Sequence, residues 1–497
     1  MRGLLTYPYG CAEQTTSTAY PHLLIDEAGA ARFGLKAYSR EQRVEMIDKA
    51  IGRLSAMQAP NGGFGLWGRI SEYEYWLSAY VSHFLLDARE QGFGVPAAMH
   101  KRAGDFLLRG LQEGIAGLPP ATAEQKPVWN ERAIWNDRRY AGSGRFAVLA
   151  YGGYVLAREA KAPLGTLRQL FEVRGLSHSG LALVHLGIAL KRMGDDVRGD
   201  QAIAEGLRKP RASGSWWGDY GSALRDAAMS YALLGKHGIA ADGRENLLAV
   251  MAGEMKRPEN WYSTQEKLAL LLVGRELGDA RANTPWRAQW ATGAGGETIA
   301  TQGTWFKETG ASELAAGMKL TNLHDAKLFV ELAYSGSPEK QPVAQRKHFE
   351  LQRALFAPDG TALGARALRV GESVIVRLQV KSRARIANGL VVDRIPAGLE
   401  IENLNIIQGE RFGGLKIEGV DVAEAMKNPR IQHVEFRDDR FVAAARLERD
   451  TVLFYRARVV TPGRFVVPPL YVEDMYRPET FGVDGGGGVL EVVEDSK

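Results

Sequence analysis

Apolar residues recur at three- and four-residue spacing through most of residues 1–285, and this pattern constrains the fold more than any other feature. Such spacing predicts amphipathic helices, and turns rich in Gly, Pro, Asn and Asp separate them. About eleven helices joined mostly by short turns favour a repeated array of helical hairpins. The predicted helices are 15–30, 40–56, 72–90, 96–114, 144–160, 162–173, 179–193, 201–209, 222–236, 244–255 and 263–277.

A glycine-rich turn with aromatic residues lies between the second and third predicted helices. Residues 61–68 read NGGFGLWG, and residues 213–219 are a weaker copy. Glycine allows a tight turn with positive φ while the aromatic side chain packs inward. Such turns resemble those of α/α toroids, in which six helical hairpins form two concentric rings. That fold serves several unrelated functions, so the turn alone leaves the function open.

The pattern changes after residue 285. Residues 286–345 lose long helical periodicity, and 326–332 alternate like a strand. Short alternating strands dominate residues 346–497, which fits a β-sandwich of about 150 residues. The sequence therefore predicts a multidomain α + β chain with domains at 1–285, 286–345 and 346–497.

Cys11 is the only cysteine among 497 residues, so the chain can form neither an internal disulfide nor a multi-cysteine metal site. Gln14 follows three residues later, about one helical turn away, so the two side chains can touch. A thiol and a carboxamide can condense with loss of ammonia, which leaves a thioester between the cysteine sulfur and the glutamine carbonyl. The pair is therefore a candidate for a stored acylating group.

Residues 10–14 read GCAEQ, which resembles the Gly-Cys-x-Glu-Gln signature of the alpha-2-macroglobulin and complement thioester proteins. Ala12 stands where vertebrate members commonly have Gly. The C-terminal segments that are similar to bacterial members of this family are 393–400, 436–440 and 472–482. The resemblance implies an α/α toroid thioester domain, then a CUB-like β segment and a C-terminal macroglobulin-type β-sandwich. Only the second half of the CUB-like domain would be present, so its strands would lack partners.

The resemblance also implies roles for the motif. Cys11 would be the leaving thiolate and Gln14 the acyl group transferred to a target, while Gly10 and Glu13 complete the motif. Some complement members use a histidine a little over a hundred residues past the cysteine to favour hydroxyl targets. Residues 115–143 contain no histidine, so we expect lysine amines to react in preference to hydroxyls.

An unprotected thioester hydrolyses, so other residues must exclude water. We expect Tyr7, beside the motif, to shield the bond. Met475 should act with it, because the resemblance implies that the loop at 473–478 packs against the thioester. Tyr9 and Tyr476 are as compatible with ordinary core packing as with shielding.

The family resemblance implies a broad-spectrum protease inhibitor, an endopeptidase trap that serves bacterial defence. A protease cuts a bait segment, the chain rearranges, and the thioester captures the protease through a surface lysine. The setting would be periplasmic, with a lipid anchor to the inner membrane in many full-length members. The chain would be a C-terminal part without its N-terminal macroglobulin and bait domains, and it would not be an enzyme, because each thioester reacts once.

Composition argues against several partners. The formal net charge of +5 is spread along the chain without a basic block, so no nucleic acid is expected. No secretory signal precedes the motif, and no run approaches the roughly 20 apolar residues that span a bilayer. We therefore expect a soluble fragment without membrane contact, and we predict neither a cofactor nor a metal.

Three alternatives remain open. A toroid enzyme of the terpene cyclase or prenyltransferase type needs an Asp-rich diphosphate motif or a zinc site. Residues 195–200, DDVRGD, are the best candidate, but their irregular spacing favours a solvated turn. A cysteine hydrolase needs a histidine base, and no local signature of that class surrounds Cys11. A protein-binding module without a thioester would leave Cys11 already spent.

Overall fold

The computed structural model divides the chain into two units, Met1–Pro258 with Thr264–Ala333, and Glu259–Ser263 with Tyr334–Lys497. The residues that the structure describes are 10–32, 35–69, 74–116, 118, 138–211, 219–256, 262–281, 285–293, 295–302, 304–325, 328, 330, 340–403, 412, 414–486 and 488–494.

Helices dominate the first unit, as the apolar spacing predicts. They are α1 (Ala12–Leu24), α2 (Glu27–Arg32), α3 (Arg40–Met57), α4 (Tyr75–Glu90), α5 (Ala97–Ile115), α6 (Arg138–Arg158), α7 (Leu164–Glu172), α8 (Gly180–Arg192), α9 (Asp196–Leu207), α10 (Ala223–Lys236), α11 (Asn246–Glu254) and α12 (Thr264–Arg281), with a short 3₁₀ helix at Arg174–Leu176.

Two segments differ from their prediction in kind as well as in limits. The segment 15–30 is two helices, because the chain is extended at Ile25, which separates α1 from α2. The prediction that residues 195–200 form a turn is wrong. Asp195 caps α9 by accepting a bond from the Arg198 N–H, and residues 196–200 lie inside that helix.

Among the described residues, six helices form a closed inner ring. Each helix contacts the next one in the order α1, α4, α6, α8, α10 and α12, and α12 contacts α1. Helices α4, α8 and α10 are buried around almost their whole circumference, whereas α5 buries only one stripe. A helix that is apolar all round belongs in an interior, and an amphipathic one belongs at a surface. These two layers confirm the predicted α/α toroid.

A small sheet follows the helical ring in the chain. Strand β1 (Pro285–Thr292) lies between β2 (Gly295–Gln302) and β3 (Met318–Asn322), and both pairings are antiparallel. The expectation that strands in this segment lack partners is therefore wrong for these three, because they pair with one another. A short helix, α13 (Ala311–Ala315), precedes β3. The strand predicted at 326–332 lies almost entirely outside the described residues.

In the part of the second unit that the structure describes, there are two facing sheets and two smaller ones. Its elements are β4 (Phe349–Phe356), β5 (Leu368–Arg369), β6 (Ser373–Ser382), β7 (Ile386–Arg394), β8 (Leu399–Ile401), β9 (Lys416–Ile417), β10 (Val420–Asp421), α14 (Val422–Met426), β11 (Ile431–Phe436), β12 (Arg440–Leu447), β13 (Asp450–Val459), β14 (Gly463–Val466), β15 (Leu470–Asp474), β16 (Arg477–Val483) and β17 (Val489–Val493).

The larger sheets have strand orders β11-β12-β7-β15-β16 and β4-β6-β13-β8. Alternate residues of both sheets meet in one apolar core, for example Val391 and Val472 from the first and Leu378 and Leu453 from the second. Two sheets that share a core in this way form a β-sandwich, as the sequence predicts.

Candidate functional site

Cys11 caps the N-terminus of α1, and Gln14 lies in the first turn above it. The Gln14 backbone N–H donates to Cys11 Sγ at 3.4 Å, and the Cys11 N–H donates to Gln14 Oε1 at 3.3 Å. This reciprocal pattern is a capping box in which a thiol replaces the usual hydroxyl. The two side chains are 0% and 1% exposed. The structure thus brings the sulfur and the carboxamide together in a site closed to solvent.

The glycine-rich turn at 61–68 supports the start of α1. The Ala12 N–H donates to the Leu66 carbonyl oxygen at 2.8 Å, and the turn is itself tied to the end of α3. Gly62 has φ +98°, and a Cβ on it would lie 2.1 Å from the Arg102 carbonyl oxygen. Glycine is required there both for its backbone conformation and for the close approach of another chain segment.

Gly10, which precedes the cap, lies against Arg53 of α3. A Cβ at this position would come within 2.3 Å of the Arg53 guanidinium, so a larger residue would displace the arginine or the chain. The Gly10 carbonyl oxygen accepts a bond from the Thr15 hydroxyl at 3.4 Å. The glycine of the motif thus allows the chain to enter α1 close to α3.

Glu13 is fully buried and holds the beginning of α12 against α1. Its carboxylate accepts bonds from Thr264 Oγ1 at 2.9 Å, from Gln265 Nε2 at 2.6 Å and from Ser17 Oγ at 2.6 Å. The Ser17 hydroxyl also lies 2.7 Å from the Tyr80 hydroxyl of α4. Glu13, the fourth residue of the motif, therefore joins three inner helices at the end of the ring that carries Cys11.

The sequence gives no indication that Thr264 and Gln265 reach the motif. They lie in the segment whose spacing predicts a helix start, and α12 does begin at Thr264. Their contact with Glu13, however, joins residues about 250 positions apart. No local pattern could have revealed it.

Tyr220 is a second neighbour that the sequence does not indicate. It has φ +52°, its hydroxyl donates to Glu74 at 2.7 Å, and its ring packs 4.6 Å from Trp76. Burial raises the pKa of Tyr220, and Glu74, Cys11 and Glu13 act in the same direction. The phenol therefore stays protonated beside the motif.

A buried charge network fixes the segment that carries Tyr220. Arg211 pairs with Asp219 and Asp226, and Arg225 pairs with the same two carboxylates. All four side chains are at most 6% exposed. Removing one member of such a network would leave a buried charge without a partner, which is costly. The network therefore makes the entry to α10 rigid.

The four residues predicted to shield the motif lie either outside the described residues or in the second unit. Tyr7 and Tyr9 lie outside the described residues, as does most of the interval in which a complement-type histidine would occur. Met475 and Tyr476 are buried at the turn between β15 and β16, where the Met475 N–H donates to the Asn388 carbonyl oxygen. Their shielding role stays a prediction.

The Asp-rich segment shows no metal chemistry. Asp195 pairs with Arg168 at 2.6 Å and with Arg198 at 3.3 Å, so its charge is already balanced. In the described part of the chain, no three His, Cys, Asp or Glu side chains are grouped so as to hold a metal. None of the described helices is long and apolar enough to cross a membrane.

Fold and site together define a thioester-domain type of protein, with a helical ring that carries the Cys-Gln motif and a β-sandwich. Comparison with known families agrees. Residues 1–115 match the A-macroglobulin TED domain, and residues 349–479 match the bacterial alpha-2-macroglobulin MG10 domain.

Relatives extend the match along the whole chain. Alpha-2-macroglobulin of Escherichia coli K12 is 39% identical to this chain, and the match covers 96% of this chain and 28% of the relative. Alpha-2-macroglobulin of Xylella fastidiosa Temecula1 is 36% identical, and the match covers 97% of this chain and 29% of the relative. Native E. coli alpha-2-macroglobulin, crystallised from domain MG7 to the C-terminus, superposes with a TM-score of 0.85 at 36% identity, covering 99% of this chain and 74% of that one. A Salmonella alpha-2-macroglobulin reacted with methylamine superposes with a TM-score of 0.83 at 35% sequence identity, covering 99% of this chain and 30% of that one.

The chain belongs to the bacterial alpha-2-macroglobulin family. It spans less than a third of the length of these two curated relatives.

Proposed function

We propose that this chain carries the covalent-capture chemistry of a broad-spectrum protease trap. The observation that supports this most directly is the reciprocal pair of hydrogen bonds between Cys11 and Gln14 in a site closed to water. The Salmonella relative that was crystallised after reaction with methylamine is consistent with an amine-reactive group in this family.

The chemistry runs in two balanced steps. Cys11 Sγ adds to the Gln14 side-chain carbonyl carbon, its proton goes to the departing nitrogen, and ammonia leaves. Later a lysine amine of the target attacks the same carbon, the C–S bond breaks, and the amine proton passes to the thiolate or to water. The Gln14 N–H already points at the sulfur, and the helix N-terminus favours negative charge there.

This reaction consumes the group, so the chain acts once and is not a turnover enzyme. In the proposed setting the target proteases cut a bait segment, and both the bait and the further macroglobulin domains belong to the longer protein. The periplasm is the proposed compartment, with attachment to the inner membrane through a lipid in the full-length protein. Defence against foreign proteases is the corresponding role.

Intact mass spectrometry under mild denaturation tests the proposal. The chain should be lighter by one ammonia, and methylamine should add to it while one thiol becomes reactive. Cys11→Ala should show neither change, and an exposed substitution such as Glu113→Gln should behave like the unaltered chain. A full mass with an immediately reactive thiol would favour the alternative of a binding module with a spent cysteine.

We also propose that amines react in preference to hydroxyls. This rests on the absence of histidine from residues 115–143. Methylamine should therefore label Gln14 faster than glycerol at equal concentration, as followed by mass. Faster labelling by glycerol would contradict the proposed preference and leave the thioester itself unaffected.

A further inference from the structure

A cavity of about 350 Å³ lies in the helical unit, and no residue of the thioester motif lines it. Its lining includes Tyr20 and Leu24 of α1, residues from the middle to the C-terminal ends of α4 and α10, and residues between 268 and 276 of α12. Because α1 begins beside Cys11 and rises about 1.5 Å per residue, Leu24 lies roughly 20 Å from the cysteine. No residue of the motif lines the cavity, although Tyr80 of its lining contacts Ser17, which bonds Glu13.

The walls of this cavity are mainly apolar. Side chains of leucine and methionine from three helices face it, and its volume is in the range of sites that hold small molecules. The apolar side chains that the argument uses are Leu24, Met229, Leu233, Leu268 and Leu272.

The acidic groups at the cavity already have partners. Asp87 pairs with Arg158 at 2.7 Å and with Lys236 at 2.5 Å, and Arg158 also pairs with Glu90. Glu276 pairs with Arg244, which stands outside the lining. No carboxylate of the lining is therefore left to attract a cation.

Arg275 of α12 is the exception among these charges. It lines the cavity and is partly buried, yet among the described residues it has neither a hydrogen bond nor an ion pair. The nearby C-terminal ends of α4 and α10 carry partial negative charge and therefore repel an anion. An anion is favoured in the cavity only beside a side-chain cation that has no other partner, and among the described residues Arg275 is such a cation. Arginine is well suited to that task, because its planar group can bind a carboxylate or sulfonate with two hydrogen bonds.

We propose that this cavity binds a small organic monoanion with an apolar body. The anionic group pairs with Arg275, and the body packs against the leucine side chains of α1, α10 and α12. No covalent step is involved, and binding does not depend on the state of Cys11.

The probe for the experiment is 8-anilinonaphthalene-1-sulfonate, which combines one anionic group with an apolar body. Its fluorescence should report one site on the chain, and decanoate should displace it. Arg275→Ala should weaken binding by at least about tenfold, because its charge-assisted hydrogen bonds to the anion are lost. Arg275→Lys should bind more weakly than the unaltered chain but more tightly than Arg275→Ala, because lysine keeps the charge and loses the two-bond geometry. Leu272→Trp should abolish binding by filling the cavity.

Lys256→Ala removes an exposed cation elsewhere in the helical unit and is the matched control, so it should bind the probe normally. Circular dichroism of each variant establishes that it is folded, and Leu272→Phe replaces the tryptophan variant if that one unfolds. Unchanged affinity in both Arg275→Ala and the filled-cavity variant would overturn the proposal. Absence of binding to the unaltered chain, or stronger displacement by phenyltrimethylammonium than by decanoate, would overturn it as well.

Discussion

At the residue scale, Glu13 is the side chain that connects the motif to the rest of the ring. Its carboxylate receives donors from Ser17, Thr264 and Gln265, and it is completely buried. An ionised acceptor fits this site because every neighbour named here donates. A neutral amide would place its own donors against them.

Glu13→Gln should therefore destabilise the helical unit by about 1–3 kcal/mol, the cost of leaving buried polar groups unpaired. Urea unfolding followed by the helical circular dichroism signal measures this, and methylamine uptake on the same sample reports the state of the motif. Glu113→Gln changes an exposed glutamate of α5 and should have little effect. Equal midpoints for the two variants would show that Glu13 does not tie α1 to α12.

Shielding of the motif is also a question of single residues. If Tyr7 and Met475 cover the bond, the thioester should hydrolyse faster in Tyr7→Gly and in Met475→Ala, because water then reaches the acyl carbon. The appearance of free thiol with time measures the rate. Met255→Ala removes a methionine that is 48% exposed and serves as the control. Hydrolysis at the control rate in both variants would remove the two residues from the shield.

The sequence predicts the Cys11–Gln14 pair because that contact is local. Three residues separate the side chains, and one helical turn brings them together. The partners of Glu13 could not be predicted, since Thr264 and Gln265 reach it only after the ring of helices has closed. Tyr220 was missed for the same reason.

At the element scale, the turn at 61–68 sets the position of α1. Gly62→Ala would force an L-residue to adopt φ +98° and would push a methyl group onto the Arg102 carbonyl oxygen. We expect a loss of about 2 kcal/mol or more, because both the strained backbone and the clash act against the folded state. Urea unfolding followed by helical circular dichroism measures it.

Gly68→Ala is the matched control within the same turn. A Cβ at Gly68 would meet no atom within 4 Å, and its φ is not positive. This variant should keep the stability of the unaltered chain. If Gly62→Ala proves as stable as Gly68→Ala, the turn does not depend on glycine at position 62.

Helix positions follow largely from the period of the apolar residues, and the limits of α3 agree with the prediction to within one residue. The break at Ile25 and the early start of α9 were not predicted. Both depend on the residues that cap the helices. Asp195 provides a side-chain acceptor for the first turn of α9, and Ile25, the C-cap of α1, has an extended backbone that ends the helix. In the β-sandwich, the strands were recognisable by alternation, but the order β11-β12-β7-β15-β16 depends on pairing between distant segments.

At the scale of the whole molecule, the helical unit buries His83 and His185, and the second unit buries an aspartate whose pKa is raised. Burial lowers the pKa of His83 to about 3, and the pKa of His185 is also lowered by burial. In the second unit Asp393 is fully buried against Arg353 and Tyr455, and burial raises its pKa. The units should therefore respond differently to acid.

Whether acid stabilises or destabilises the fold depends on whether the folded or the unfolded chain binds protons more readily. The unfolded chain protonates its histidines near pH 6.5, whereas folded His83 resists protonation until about pH 3, so stability falls as the pH drops through this window. From about pH 7.5 to about pH 5.5 the loss is about 1.4 kcal/mol for each fully buried histidine. The raised pKa of Asp393 acts the other way, because its folded form binds a proton more readily than the unfolded chain.

Acidification should therefore reduce hydrogen-exchange protection in α4 and α8, which carry His83 and His185, more than in β6 and β13. Mass spectrometry of peptides, corrected for the intrinsic pH dependence of exchange, resolves the two units separately. His83→Gln should remove part of the loss in the helices, because it deletes one proton-binding group of the unfolded chain. His324→Gln, at an exposed position, should not. Equal loss of protection in helices and strands would mean that acid destabilises the chain through some group other than the buried histidines.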